Sequence, residues 1–301
     1  MPVDGVACTW GVPRATAEPG RYSVGVTFPL RIVTVVYHPG PELAEFVASL
    51  RAATTLPYEL VIVDNGGDAD AVEGATLLRP AWNLGYGGGV NFGARGFAGD
   101  WLIAANPDVR LEPGAIDALI KEATRWPRGG AFGPAILTPE GDLYPSARAF
   151  PRLVAGAGHA LLGNVWPGNP FSARYRDNAD TSRAHAVDWL SGAFLLLRGD
   201  AFRSVNGFDS SYFMFFEDIQ LGEDLAARGL QSVFVPAAHV VHDQGRSWRD
   251  QPAAMLRAHH RSAAHYLDGV YAKRWQAPLR AALHLGLRVR AALEVRAARR
   301  K

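Results

Sequence analysis

The sequence predicts an α/β protein: a mostly parallel sheet flanked by helices, with a helical appendage at its C-terminal end. Two observations carry this. Short apolar, β-branched runs alternate with stretches whose apolar residues recur at helical spacing. Each apolar run also stops at a polar or glycine-rich corner, and near the C-terminus only the helical pattern remains.

Leu30 to Tyr37 reads as the first strand, closed by the turn His38-Pro39-Gly40-Pro41. Leu43, Phe46, Val47 and Leu50 fall on one face of a helix. Glu59 to Val63 is a second strand, ended by Asp64-Asn65-Gly66-Gly67. Ala75 to Leu78 is a weaker strand leading into a glycine-rich segment, Asn83 to Gly93, that opens a helix. Trp101 to Ala105 is a buried strand, and Pro113 opens a helix with Ile116, Leu119, Ile120 and Ala123 on one face. Ala131 to Leu137 is apolar again. From Tyr144 to Ala186 the pattern dissolves into Pro, Gly, Asn and aromatic residues, the mark of a functional or mobile stretch. Trp189 to Leu197 restores a strand, and Ser232 to Val235 and His239 to Val241 are two short ones. The expected divisions are a flexible extension over 1–29, an α/β domain over 30–247 and a basic helical segment over 248–301.

Charge and composition narrow the partners. The 301 residues hold 31 basic and 29 acidic side chains. The excess is local: between Lys273 and Lys301 the only acid is Glu294. Such a segment points to an anionic membrane surface, with Leu279, Leu283, Leu287 and Leu293 as apolar contacts, or to a solvated helix with a basic tip. Nucleic acid is not expected as a partner, because the excess is confined to one end and no reader motif occurs. The single cysteine, Cys8, forbids an internal disulfide and fits a reducing cytosol. Residues 1–29 lack the charged and apolar regions of a secretory signal. No run approaches the ~18–20 apolar residues of a membrane span. The expected location is the cytoplasm, at the inner face of the membrane.

In a parallel sheet the polar strand ends share one edge, where ligands bind. That edge would carry Tyr37, Asp64 with Asn65, the segment Asn83 to Gly93, and Asn106-Pro107-Asp108. Asp108 with Asn106 two residues before it suits a divalent cation held against a diphosphate, although an Asp after a strand also serves as a plain turn residue. Gly85-Tyr86-Gly87 starts like a dinucleotide fingerprint, but Val90 or Phe92 stands where the third glycine belongs. Later an aromatic cluster, Tyr212 to Phe216, runs into Glu217-Asp218 at the start of a helical pattern. That pair reads either as a helix-dipole cap or as a desolvated working base. His242 follows an apolar strand end and could complete a metal or diphosphate site.

Together these marks resemble family-2 glycosyltransferases of the GT-A fold, from about Leu30 to Ser247. The marks are Val35-Val36-Tyr37, Val63-Asp64-Asn65-Gly66, Asn83-Leu84-Gly85-Tyr86-Gly87 with Asn91, and Asn106-Pro107-Asp108-Val109 as a variant DxD motif. Gly207-Phe208-Asp209, Tyr212-Phe213, Glu217-Asp218, and His242 with Ser247 follow in order. The Asn-Pro-Asp-Val form and Tyr144-Pro145-Ser146-Ala147-Arg148 look most like rhamnosyltransferases. The resemblance implies an inverting enzyme that moves L-rhamnose from dTDP-rhamnose to a polyprenyl-diphosphate-linked GlcNAc, in assembly of the linker between peptidoglycan and arabinogalactan. It implies Asp218 as catalytic base with Glu217 beside it. The donor nucleotide would meet Tyr37, Asp64 and Asn65, with Asp64 nearest the base, and the segment carrying Asn83, Gly85, Tyr86 and Asn91. Asp108 and Asn106, with His242, would hold Mg²⁺ or Mn²⁺, and Trp189, Ser191 and Gly192 would shape the acceptor side. Three departures stand out: Asn106 where many relatives carry Asp, Gln220 where a further Asp is common, and His38 in place of Asn. The alternatives are a UDP-sugar enzyme of the same fold, galactofuranosyl or glucosyl, and a non-catalytic sugar- or membrane-binding module.

Overall fold

Apolar strands pair first with their sequence neighbours, and that builds the nucleotide-facing half of the molecule. The computed structural model describes residues 29–151, 180–243 and 252–298. Residues 1–28, Ser247 and 299–301 lie outside the described residues, as does most of the irregular stretch, 152–179. The side chains of Leu293 and Arg296 lie outside them too. The first half runs β1 (Leu30–Val36), α1 (Glu42–Ala53), β2 (Tyr58–Asp64), β3 (Ala75–Leu78), α2 (Gly85–Gly93) and β4 (Trp101–Ala105). β3, β2, β1 and β4 lie side by side and parallel.

The second half continues β5 (Val109–Leu111), α3 (Ala115–Ala123), β6 (Gly129–Leu137), β7 (Leu143–Tyr144), β8 (Ala147–Arg148), β9 (His185–Val187) and β10 (Trp189–Leu190). It ends with β11 (Phe194–Arg198), α4 (Gly199–Ser204), α5 (Glu217–Ala227), β12 (Gln231–His242), α6 (Pro252–Val270) and α7 (Ala277–Ala298). The sheet order is β3-β2-β1-β4-β11-β6-β12-β5. β6 and β12 are parallel, while β11 runs antiparallel to both β4 and β6. β8 and β10 form a separate two-stranded sheet.

Three details differ from the sequence expectation. Trp189 to Leu197 is not one strand: Ser191, Gly192 and Ala193 break it into β10 and β11, which belong to different sheets. The two short strands near Val235 and His239 are one, β12, with a register shift between those residues where Pro236 interrupts the ladder. Parts of the irregular stretch form β7, β8 and β9.

Helices cover both faces. On one face α1 and α3 bury Leu43, Phe46, Leu50, Ile116 and Leu119 against Ile32, Ile62 and Phe194. On the other, Val90 of α2 and Leu221 and Leu225 of α5 pack with Val33, Val63 and Leu102. α2 holds three consecutive interior glycines, which cost a helix about 1 kcal/mol each relative to alanine. Close approach offsets that cost: a Cβ on Gly89 would lie 2.8 Å from the Val35 side chain of β1. Tyr266 of α6 joins a third cluster with Trp189, Tyr212 and Ile219, which seats the C-terminal helices on α5.

Candidate active site

The C-terminal ends of β1, β2 and β4, the N-termini of α2 and α5, and the turn before β11 converge. After β1, Tyr37 is exposed and packs edge-on against His38. His38 has φ +50, a left-handed conformation in which Asn and His are both enriched. That conformation gives a physical reason for either residue at this corner.

Asp64 closes β2 and is almost fully buried. Its oxygens accept the amides of Gly66, Gly67 and Ala69 and the Arg79 guanidinium. Burial pushes its carboxyl up, but these donors outweigh burial and hold it below the usual carboxylate range. With its side chain buried and four donors on it, Asp64 fixes the corner that follows β2. Asn65 clamps the glycine-rich segment, donating to Gly85 O at 3.0 Å and accepting from Leu84 N at 3.3 Å. Asn83 accepts the Gly85 amide. Asn91 brackets Phe208, donating to the carbonyl and accepting from the amide, so it ties α2 to the 207–210 loop.

Gly85 admits no side chain. Its φ is +72, and an added Cβ would lie 1.9 Å from the Phe213 carbonyl oxygen. That same oxygen accepts the Tyr86 amide at 3.0 Å. The Tyr86 hydroxyl donates to the Gly192 carbonyl, and the Gly192 amide donates to Asp218 Oδ2 at 3.0 Å. Burial, with the charges of Glu217, Asp218 and Asp108, raises the Tyr86 hydroxyl well above its ordinary pKa.

Glu217 and Asp218 open α5 and diverge, as adjacent helical residues must. Glu217 is buried beneath Gly87 of α2, and its Oε2 has no hydrogen-bond partner. Burial first, and then the charge on Asp218, pushes its carboxyl up to about 8. Asp218 is half-buried and faces Gly192. Burial raises its carboxyl too, opposed by the amides of Gly192 and Ile219 and by the Arg148 charge. The two preceding residues, Phe215 and Phe216, have φ +66 and +69, a conformation that costs roughly 1–2 kcal/mol per residue. Edge-on contacts from both rings to His259, and a tilted one from Phe216 to Tyr266, hold that kink from α6.

Beyond β4, antiparallel pairing of His242 with Val109 brings β12 beside Asp108. His242 Nε2 lies 3.0 Å from Asp108 Oδ1 and 3.4 Å from the Asn106 amide nitrogen, and both ring and carboxylate are buried. Among the described residues no cluster of three or more His, Cys, Asp or Glu exists. The chemistry of this smaller set still fits a hard cation. Two ligand atoms at ~2.1 Å from one octahedral ion stand ~3.0 Å apart, and a diphosphate would supply further oxygens.

Trp189 is buried in the cluster with Tyr212 and Ile219 and donates to Ala149 O. Gly192 borders Asp218, and Ser191 N bonds Ser146 O just before β8. Arg148 and Arg79 were not singled out as site residues. Arg148 was legible as part of the Tyr144 to Arg148 segment, and its guanidinium lies over Tyr144 and Trp189. Arg79, after β3, carried no sequence signal.

The arrangement sets the Asp108–His242 pair at a sheet edge, with the carboxylates of Glu217 and Asp218 across from it at the start of α5. The chain belongs to glycosyl transferase family 2, whose family model matches residues 31–143, and it is a glycosyltransferase. It is 43% identical over 290 residues to N-acetylglucosaminyl-diphospho-decaprenol L-rhamnosyltransferase of Mycobacterium tuberculosis, covering 90% of this chain and 94% of that one. Rhamnosyltransferase WbbL of Escherichia coli is 32% identical over 173 residues, 56% of this chain and 61% of that protein. Among solved structures, GalNAc-T7 with UDP, GalNAc and Mn²⁺ matches at TM-score 0.56 and 13% identity, over 77% of this chain and 48% of that one. The mannosyltransferase PcManGT from Pyrobaculum calidifontis, with GDP-Man and Mn²⁺, matches at 0.52 and 15% identity, over 93% and 77%. These two share the fold.

Proposed function

We propose that this chain transfers L-rhamnose from dTDP-rhamnose to GlcNAc-diphosphoryl-polyprenol with inversion. The observation that carries the reading is the near-full-length likeness to a rhamnosyltransferase of that name, at 43% identity over 90% of the chain. The site supports the chemistry. Asp218 sits where a carboxylate can take the acceptor hydroxyl's proton as that oxygen attacks the anomeric carbon. The Gly192 and Ile219 amides aim its oxygens. Burial raises its proton affinity toward the working range, and Arg148 limits the rise. Asp108, His242 and Asn106 would hold Mg²⁺ or Mn²⁺, which supplies positive charge to the donor diphosphate when bound. Tyr37 offers an exposed ring for the nucleotide base, and Asn65 and Asn83 hold the loop beside it. Ser191 and Gly192 form the acceptor wall.

The same reading places the enzyme peripherally at the inner membrane face, with the transferase unit over 30–247 and the basic helices over 248–301 as its membrane-side appendage. No described helix is long and apolar enough to cross a membrane. α7 instead presents Leu285 and Val289 to solvent beside Arg288 and Arg290. The deciding experiment is a screen of nucleotide sugars against a GlcNAc-diphosphoryl-lipid analogue with divalent cation. Turnover of dTDP-rhamnose is expected; turnover of a UDP-sugar alone overturns the reading.

A further inference from the structure

A cavity of about 410 Å³ adjoins the site described above and shares Asn83 and Asn91 with it, between α2 and residues 210–213. Trp82, Phe92 and Phe213 give it apolar surface, and Arg95, Ser210 and Ser211 give it polar surface. Trp82 is 67% exposed and Phe213 42%, so folding leaves both rings unpacked. Arg95 is exposed, stacks on Phe92 at 4.5 Å, and has no acidic partner among the described residues.

The cavity connects two parts of the molecule. On one side the Phe213 carbonyl holds the Tyr86 amide, and Tyr86 leads through Gly192 to Asp218. On the other, Ser211 Oγ bonds His265 of α6 at 2.8 Å, and Ser262 of α6 donates to the Met214 carbonyl. A lipid-linked acceptor must bridge the same two places, with its sugar at the base and its chain in the bilayer. Arg95 lies two residues beyond the end of α2, so the groove runs beside the helix from the Tyr86 end outward.

We propose that this groove holds the diphosphate and proximal isoprene units of the acceptor. Arg95 meets the phosphates, and Trp82, Phe92 and Phe213 meet the chain. The proposal rests on the lipid-acceptor reading given under the proposed function. It adds a subsite that reads the lipid rather than the sugar.

Two measurements test it. A GlcNAc-diphosphoryl-polyprenol with a diazirine in its first isoprene unit is irradiated with the full-length enzyme, and the labelled peptides are mapped. Label within 82–95 and 210–213 is expected; label confined to other segments overturns the proposal. Labelling reads the groove without turnover, so an enzyme that turns over no dTDP-rhamnose refutes the reaction and leaves this result standing. The second measurement compares kcat/KM for a polyprenyl acceptor with that for a short-alkyl acceptor. In Trp82→Ala the ratio should fall at least tenfold, and Trp82→Phe should recover most of it. An unchanged ratio overturns the proposal, and a melting curve on each variant excludes unfolding as its cause.

Discussion

Replacing Glu217 by Gln should flatten the pH dependence of stability while leaving neutral-pH turnover within about tenfold of the wild type. Glu217 is 6% exposed, and its carboxyl rises from an ordinary 4.5 to about 8. Its folded pKa is the higher one, so folding favours the protonated form. Below pH 4.5 both states hold the proton, and the group's stabilisation is fully present. Between 4.5 and about 8 the unfolded chain releases the proton and the folded chain keeps it, so stability falls as pH rises. Above that range both states are ionised and the loss is complete. Roughly three and a half pH units at ~1.4 kcal/mol each set a ceiling of ~5 kcal/mol. Asp218 is raised as well, so its own contribution adds in the same direction to that of Glu217. For a protein this large, a few kcal/mol corresponds to a Tm change on the order of 10 °C. The assay is thermal and urea denaturation of wild type and Glu217→Gln, stepped from about pH 5 to about pH 9 across the interval where linkage acts. The slopes are compared rather than the absolute values, because a buried Gln amide brings unsatisfied donors of its own. Near neutrality the wild-type Glu217 is already uncharged, which is why turnover should survive. Parallel stability curves for the two proteins would refute the assignment of a proton to Glu217.

Asp218→Asn should cut kcat by ~10²–10⁴-fold with donor affinity retained, whereas Asp108→Ala should weaken only cation-dependent donor binding. Steady-state rates and calorimetry with donor separate the two, and near-full rate in Asp218→Asn sinks the base assignment. Tyr86→Phe leaves the buried Gly192 carbonyl without its donor, a loss of ~1–3 kcal/mol that should appear as a lower Tm. It should lower kcat too, since the Gly192 amide aims Asp218; an unchanged melt and rate would show that the link carries nothing. Gly85→Ala forces a Cβ to 1.9 Å from the Phe213 oxygen at φ +72, so kcat/KM should fall by well over tenfold; a crystal structure with loop and rate intact would contradict this. Leu285→Glu with Val289→Glu alters side chains that are 63% and 52% exposed, so the fold should tolerate both. Co-sedimentation with anionic liposomes should drop, because each new carboxylate opposes the ~1 kcal/mol that each nearby basic residue contributes at such a surface.

The sequence made β1, β2 and β4 readable because strands covered on both faces are uniformly apolar and end abruptly. It could not reveal that β11 runs antiparallel, since an apolar run has no direction in it. The split of Trp189 from Phe194 was hidden for a related reason: Ser191 and Gly192 look no different in a strand from in a turn. Polar residues at strand ends were visible as Asp64, Asn65 and Asp108. Which of them faces inward depends on donors supplied from elsewhere, as when Arg79 and three amides enclose Asp64. The pairing of Asp108 with His242 was foreseeable in kind, because both close apolar strands. Its 3.0 Å distance comes from β5 lying antiparallel to β12, a tertiary fact.

The reversed strand β11 has one further consequence. Its first residue, Phe194, pairs with Ala105, the last residue of β4, and the Asn106 amide bonds the Ala193 carbonyl at 2.9 Å. Asn106, which leads to Asp108, and the turn whose Gly192 amide holds Asp218 thus leave the same rung of one ladder in opposite directions. Their separation is gauged by strand register, which can change only in whole-residue steps, and not by loops, whose length drifts freely. Insertions, deletions and sequence change between β6 and β10 can therefore accumulate without altering how far Asp108 stands from the turn beside Asp218.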